Sequence, residues 1–295
     1  MLQFKKVELD HRERANHFLK MKNYFMCAYC FTDIFIWSSA YGTRIAFDDD
    51  FMYIKTSNSQ GTFFTSPIGS GDYAVAIEKM AEIAHEEGYP LRMYCVPPEV
   101  KTRLEDIYPK RFVFTEDRDQ ADYIYSAESL MYLKGKKLHG KRNHINKFLS
   151  EYDGRWAYED LTADNVHEFF EYQLDWCSDN PSEFLGETCA VSLALKNMEP
   201  LGIKGGLLRL DGKLIAVTLG SESFYDTFIV HIEKADASIP GAYQMINQQF
   251  AQHNFEKYRY IDREEDLGIE GLRKAKLSYY PESITENYYA EEKTE

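Results

Sequence analysis

Three things are scarce in this chain: cysteine, long apolar runs and positive charge. The five cysteines, Cys27, Cys30, Cys95, Cys177 and Cys189, are odd in number and scattered. That is the usage of reduced thiols in a reducing compartment, not of a disulfide framework. Cys27 and Cys30 do form a Cys-x-x-Cys, "CAYC", but a structural zinc site needs a second pair at matching spacing, and the sequence has none. In the aromatic context "NYFMCAYCFTDIFIW" the expectation is two buried cysteines and no metal. No stretch approaches the roughly 18 apolar residues of a spanning helix. The N-terminal "MLQFKKVELDHRERANHFLK" lacks the apolar h-region of a secretory signal. A soluble, cytoplasmic protein is expected. The formal net charge of −14 excludes a surface built throughout to grip DNA or an anionic membrane, but leaves room for a local anion site.

What is present is a chain able to fold. It has 295 residues, 44% of them hydrophobic and 15% aromatic, enough for two domains with sizeable cores. In the second half, periodicity and punctuation predict a strand over Arg155 to Glu159, then a helix from Thr162 or Asp164 to about Ser178. A second helix lies in "PSEFLGETCAVSLALKNM". Three strands follow, "IKGGLLRL", "KLIAVTLGSE" and "FYDTFIVHIEKA", the first two joined by an Asp-Gly hairpin turn. A helix from about Gly241 to Asn254, the strand "YRYID", the helix "IEGLRKAKL" and the strand "ESITENYYAE" complete the order. The first half repeats it more loosely: strands near Phe4, Arg44, Phe51 and Thr62, helices at Asp10–Met21, Cys27–Ser38 and Asp72–Glu87, then "LRMYCV", "PPEVKTRLEDIY" and "RFVFTE". The expectation is a mixed α/β duplication, with modules at 1–125 and 126–295, each a central sheet flanked by helices.

Positive charge is concentrated in "LKGKKLHGKRNHINKFLS", Leu133 to Ser150, with six Lys/Arg, two His and no carboxylate. On a helix, Leu138, Ile145 and Leu149 share an apolar side, and Lys137, Lys141 and His144 make a basic stripe at i, i+4 and i+7, with Arg142 on the other flank. Such a stripe suits a compact phosphate; a nucleic-acid groove needs a wider field. A second anion site is expected where "ASIPGAYQ" opens a helix. There Ser238 can cap, Pro240 suits the first turn, and Gly241 allows close approach to free N–H groups, with Ala242, Tyr243 and Gln244 beside it.

Strict alternation sends His231 and Glu233 to one face of the preceding strand, as base and orienting group. At the next strand end, Glu264 and Asp266 can take a proton from an amine. Arg263, Arg273 and Lys276, together with Asn143 and Asn247, make up a candidate substrate-binding set.

Three segments, "DYIYSAESLMYLKGKKLHGKRNHINKF", "VHIEKADASIPGAYQMINQQFA" and "YIDREEDLGIEGLRKAKLSYYP", resemble a family of bacterial proteins related to the C-terminal domain of phosphatidylglycerol lysyltransferase. The resemblance covers nearly the whole chain and includes "NYFMCAYCFTDIFIWSSAYG". It implies two tandem GNAT-like (acyl-CoA N-acyltransferase) modules, and transfer of an acyl or aminoacyl group from a CoA thioester or aminoacyl-tRNA to an amine or hydroxyl acceptor. It also implies a donor pantetheine and pyrophosphate at about Ser238 to Gln244. "ASIPGAYQ" departs from the usual acetyl-CoA signature of GNAT relatives, Gln/Arg-x-x-Gly-x-Gly/Ala, so the tRNA acceptor end stands beside acyl-CoA as a donor. The alternative is a non-catalytic nucleotide- or peptide-binding protein on the same fold.

Overall fold

A computed structural model describes residues 2–22, 24–58, 61–179 and 185–294. The chain divides into two compact units, Met1–Ala121 with Thr285–Glu295, and Asp122–Ile284.

The first unit is laid down by β1 (Lys5–Lys6), α1 (Arg12–Leu19), α2 (Phe31–Tyr41), β2 (Arg44–Phe47), β3 (Phe51–Asn58), β4 (Gly61–Phe64), β5 (Ile68–Gly69), α3 (Tyr73–Glu86), β6 (Arg92–Val96), α4 (Pro98–Ile107) and β7 (Phe112–Glu116). The expected helix at Cys27 begins later, at Phe31, because Cys27–Tyr29 is a short 3-10 turn. β4 and β6 run parallel, joined by the crossover helix α3. Ala76, Ile77, Met80 and Ala84 of α3 repeat at helical spacing and are buried against Phe51, Tyr53, Phe64 and Met93 of the sheet.

The second unit comprises β8 (Tyr123–Ser126), α5 (Ala127–Tyr132), α6 (His139–Glu151), β9 (Trp156–Asp160), α7 (Val166–Asp179), α8 (Leu185–Lys196), α9 (Met198–Leu201), β10 (Ile203–Leu210), β11 (Lys213–Glu222), β12 (Thr227–Ala235), α10 (Ala242–Asn254), β13 (Tyr260–Asp262), α11 (Glu270–Leu277) and β14 (Ser283–Ile284). Of the helix expected in "PSEFLGETCAVSLALKNM", residues 181–184 lie outside the described residues. The sheet order is β14-β8-β13-β12-β11-β10-β9. β9 to β12 form an antiparallel meander. The Asp-Gly turn has φ +51° at Asp211 and +79° at Gly212, the paired positive values that a two-residue hairpin demands. Helix α10 then crosses to β13, which lies parallel to β12. Ala242, Met245, Ile246 and Phe250 of α10 pack on Phe228, Val230 and Ala235 of β12 and on Phe148 of α6.

The final strand departs from the expected order. "ESITENYYAE" splits into β14, which stays in the second sheet, and β15 (Tyr288–Glu292), which returns to the first sheet between β6 and β7. Ala290 is buried in the first core. Among the described residues no helix is long and apolar enough to cross a membrane.

Candidate active site in the second unit

The site begins with a mismatch in strand length. β12 and β13 pair from Thr227 with Tyr260 to Ile229 with Asp262. β13 ends there, while β12 runs on to Ala235 beside β11. Past Ile229 one edge of β12 therefore loses its parallel neighbour, and the gap collects polar side chains.

The expectation that His231 and Glu233 share a face is overturned. The ladder pairs Gly220 with Val230 but Leu219 with Ile232, so His231 is an extra residue at a bulge. One inserted residue reverses the alternation beyond it. Glu233 turns toward α10 and meets Asn247, while His231 turns away and meets Ser221 and Glu264.

The His231 set is a buried relay. Its Nδ1 lies 2.8 Å from Glu264 Oε1 and its Nε2 lies 2.9 Å from Ser221 Oγ. Burial pushes the imidazole down to about 3, so it is neutral at physiological pH and holds one proton. A carboxylate only accepts, so that proton belongs on Nδ1, and Nε2 accepts from the Ser221 hydroxyl. This ring holds Glu264 in place and makes a weak base. The sequence reading missed Ser221, since a serine inside an apolar strand carries no local signal.

The Glu233 set is different. Its Oε1 accepts from Arg263 Nη2 at 2.8 Å and its Oε2 from Asn247 Nδ2 at 2.9 Å. The amide must turn its NH2 to the carboxylate, which leaves Asn247 Oδ1 buried without a partner, and Arg263 Nη1 is likewise buried and unmatched. Arg263 lies over the rings of Tyr279, at 4.9 Å, and Tyr125, at 5.7 Å. Lys141 Nζ lies over Tyr279 at 4.0 Å. Partial burial, then the Arg263 charge, pushes Lys141 down to about 8, against the pull of Glu233. Two unmatched atoms, one donor and one acceptor, flank one carboxylate here. A buried polar atom left alone costs on the order of 1–3 kcal/mol, so this is a place to expect a ligand.

The strand end carrying Arg263 and Glu264 is itself held by Lys276. Its buried ammonium donates to the carbonyls of Arg263 (2.5 Å), Glu264 (3.0 Å) and Glu265. Glu264 takes the left-handed region, φ +57°, and Asp262 Oδ1 accepts its N–H at 2.7 Å. Lys276 was expected to bind substrate; its three donors are instead spent on these carbonyls. Asp266 was expected to take a proton. It is buried and accepts from Tyr123 Oη (2.5 Å), Gly268 N (2.9 Å), and Arg273 Nε (2.8 Å) and Nη2 (2.7 Å). These bonds outweigh the upward push of burial and hold the carboxyl at about 2. Asp266 and Arg273 thus shape the loop as an ion pair.

The helix-start and basic-helix expectations are also redrawn. Ser238 does not cap α10: its N–H and hydroxyl both turn to Asp236 Oδ1. The helix starts at Ala242 with Gly241 as N-cap, φ +93°, and no side-chain cap. A Cβ on Gly241 would lie 2.9 Å from His144 O and 3.1 Å from Phe148 Cβ, so the glycine admits α6 at the place expected for a phosphate. Ala242 is buried, while Tyr243 and Gln244 are part-exposed. Helix α6 begins at His139, which leaves Lys137 before the helix, exposed, with its ammonium 5.6 Å from the Tyr280 ring. Phe148, not Leu149, joins Ile145 in the core. Arg142 donates to the carbonyls of Leu133 and Gly135, so it pins the connection. Asn143 is exposed beside His139. The structure brings together Lys141, Glu233, Asn247 and Arg263 on one side and His231 and Glu264 on the other.

The family description "Phosphatidylglycerol lysyltransferase, C-terminal" matches residues 23–291. The chain belongs to this family. A conserved protein of unknown function from Bacteroides thetaiotaomicron is 42% identical and superposes with a TM-score of 0.92, over 99% of this chain and 100% of that one. L-PGS from Bacillus licheniformis is 15% identical with a TM-score of 0.65, over 96% and 92%. A tandem GNAT protein from the clavulanic acid biosynthesis pathway is 8% identical with a TM-score of 0.55, over 99% and 98%. These last two likenesses are of fold, and the fold is the mixed α/β tandem GNAT arrangement expected from the sequence. An uncharacterized protein of Mycoplasmoides gallisepticum is 28% identical over 193 residues, 63% of this chain. The chain spans about 60% of the length of that curated relative.

Proposed function

We propose that the second unit transfers an acyl or aminoacyl group, from a CoA thioester or an aminoacyl-tRNA, to an amine or hydroxyl acceptor in the gap between β12 and β13. Membership in a family named for a lysyltransferase supports the reaction class. The observation that carries the assignment to this gap is the unmatched pair Arg263 Nη1 and Asn247 Oδ1 beside the Glu233 carboxylate.

Each group then has a part. The open edge of β12 offers main-chain N–H groups to the carbonyl under attack, where negative charge develops. Glu233, Asn247 and Arg263 position the acceptor. Glu264, held by the neutral His231, receives the proton that the acceptor loses. The exposed Lys137, with its ammonium near Tyr280, meets the donor's phosphates at the α6 end. Reaction without a covalent enzyme intermediate satisfies this arrangement.

The test is to incubate the intact protein with radiolabelled acetyl-CoA and, separately, with tRNA charged with radiolabelled lysine, each with a mixture of amino acids and polyamines. Label should leave at least one donor, and Glu264→Gln should slow it by about tenfold or more, the usual worth of a positioned acid or base. Consumption of neither donor overturns the reading in favour of a binding protein on this fold.

A further inference from the structure

Resting on that reading, we propose that Lys141, Glu233, Asn247 and Arg263 bind the acceptor, and that this acceptor is a free α-amino acid. Its carboxylate lies on Arg263 and Lys141, and its amine at Asn247 and Glu233.

The argument is one of charge and matching. Lys141 and Arg263 share the Tyr279 ring, at 4.0 and 4.9 Å, and only Glu233 offsets them within this set. The set therefore carries one positive charge in excess. Glu233 is engaged on both oxygens, by Arg263 Nη2 and Asn247 Nδ2, so what it leaves to a ligand is the donor Nη1 and the acceptor Oδ1. A simple amine satisfies Asn247 Oδ1 but leaves Arg263 Nη1 and the excess charge unmet. A fully ionised phosphate satisfies the two cations but brings no hydrogen to Asn247 Oδ1. An α-amino acid brings both, an accepting carboxylate suited to the guanidinium and an N–H a short distance from it. With its amine neutral, as a nucleophile must be, the ligand carries one negative charge, equal and opposite to the excess. The burial, and after it the Arg263 charge, that disfavour a charged Lys141 favour that neutral amine for the same reasons.

In the reaction the amine nitrogen attacks the donor's carbonyl carbon. The C–N bond forms, the C–S bond of a thioester or C–O bond of an ester breaks, and the amine's proton ends on the departing thiol or hydroxyl. No oxidant or further reactant is required.

The experiment is calorimetric titration of the intact protein with glycine, L-alanine and L-lysine, against ethylamine, cadaverine, acetate and inorganic phosphate. At least one amino acid should bind tenfold or more tightly than its amine or acetate. Asn247→Ala and Lys141→Met should each weaken it about tenfold. Lys141 is part-exposed and its ammonium lies over a ring, so its variant keeps the fold and the test. Amines binding as well as amino acids, or phosphate binding while amino acids do not, overturns the proposal. The donor assay separates the two claims. Label passing equally to amines that lack a carboxylate sinks the acceptor assignment and leaves the transferase. Amino acids binding while no donor is consumed sinks the transferase and leaves the site.

Discussion

The two units solve one structural problem with different chemistry. In each, a helix crosses over to a parallel strand, α3 to β6 and α10 to β13, and the strand's end takes a non-glycine residue into the left-handed region, Cys95 at φ +49° and Glu264 at φ +57°. A backbone bent this way exposes carbonyls that need donors. The first unit supplies a hydroxyl: Tyr29 Oη donates to Cys95 O at 2.9 Å and lies 2.8 Å from Ser66 Oγ. The second supplies the buried ammonium of Lys276 for three carbonyls. The helix starts differ in the same sense. Asp72 caps α3 by accepting from Ala74 N and Val75 N, so a carboxylate already fills that helix end. Gly241 leaves α10 without a side-chain cap. The version tied by a hydroxyl and capped by a carboxylate serves structure; the version tied by an ammonium and left uncapped carries Arg263 and Glu264 into a gap.

The comparison can be broken by substitution, and the largest effect is expected at Lys276. Lys276→Met strands three buried carbonyl bonds and should lower urea-measured stability by about 3 kcal/mol. Tyr29→Phe, the matching change in the first unit, should lower it by about 1 kcal/mol. Equal losses would mean that the ammonium does no more than the hydroxyl.

Asp266→Asn should lower the thermal midpoint at pH 7 by about 2 kcal/mol equivalent, since it weakens a largely buried ion pair. The sign with pH follows from a carboxyl held at about 2 in the fold, below its ordinary 3.8. Its contribution is complete above the unfolded value and is lost as pH falls through the folded one. The gap between wild type and variant should therefore close between about pH 4 and pH 2; a gap that persists there contradicts the assignment.

The helix starts provide the smallest contrast. Gly241→Ala meets both a positive φ and the His144 carbonyl, and should cost about 2 kcal/mol. Asp72→Ala should cost about 1 kcal/mol, a lost cap. Both are read from denaturant midpoints, and a larger loss at Asp72 reverses the ranking.

Much of this was legible in the sequence. The meander, the Asp-Gly turn and the α10 face follow from periodicity and turn chemistry, which are local. Lys141, Glu233, Asn247 and Arg263 were legible as candidates because polar residues collect in segments flanking a strand end. Their grouping was not. The bulge at His231 leaves no mark in composition, yet it sends His231 and Glu233 to opposite faces. Lys276 and Asp266 looked like functional charges because a cation that cages carbonyls and one that binds a ligand are the same letter. Their partners, Arg263 to Glu265 and Arg273, became visible only when the loop closed on itself.

The return of β15 to the first sheet sets the order in which the chain can assemble. Ribosomal synthesis delivers Asp122–Ile284 as one continuous piece, so the second unit can fold as soon as it emerges. The first unit, though begun earlier, has β6 and β7 bridged by β15, a strand that is made after the whole second unit. Its sheet stays divided until Glu292 is free of the ribosome. Of the two units, the one begun first is therefore the one that finishes second, and a chain stalled between β14 and β15 exposes the edges of β6 and β7 while the second unit's own sheet is whole.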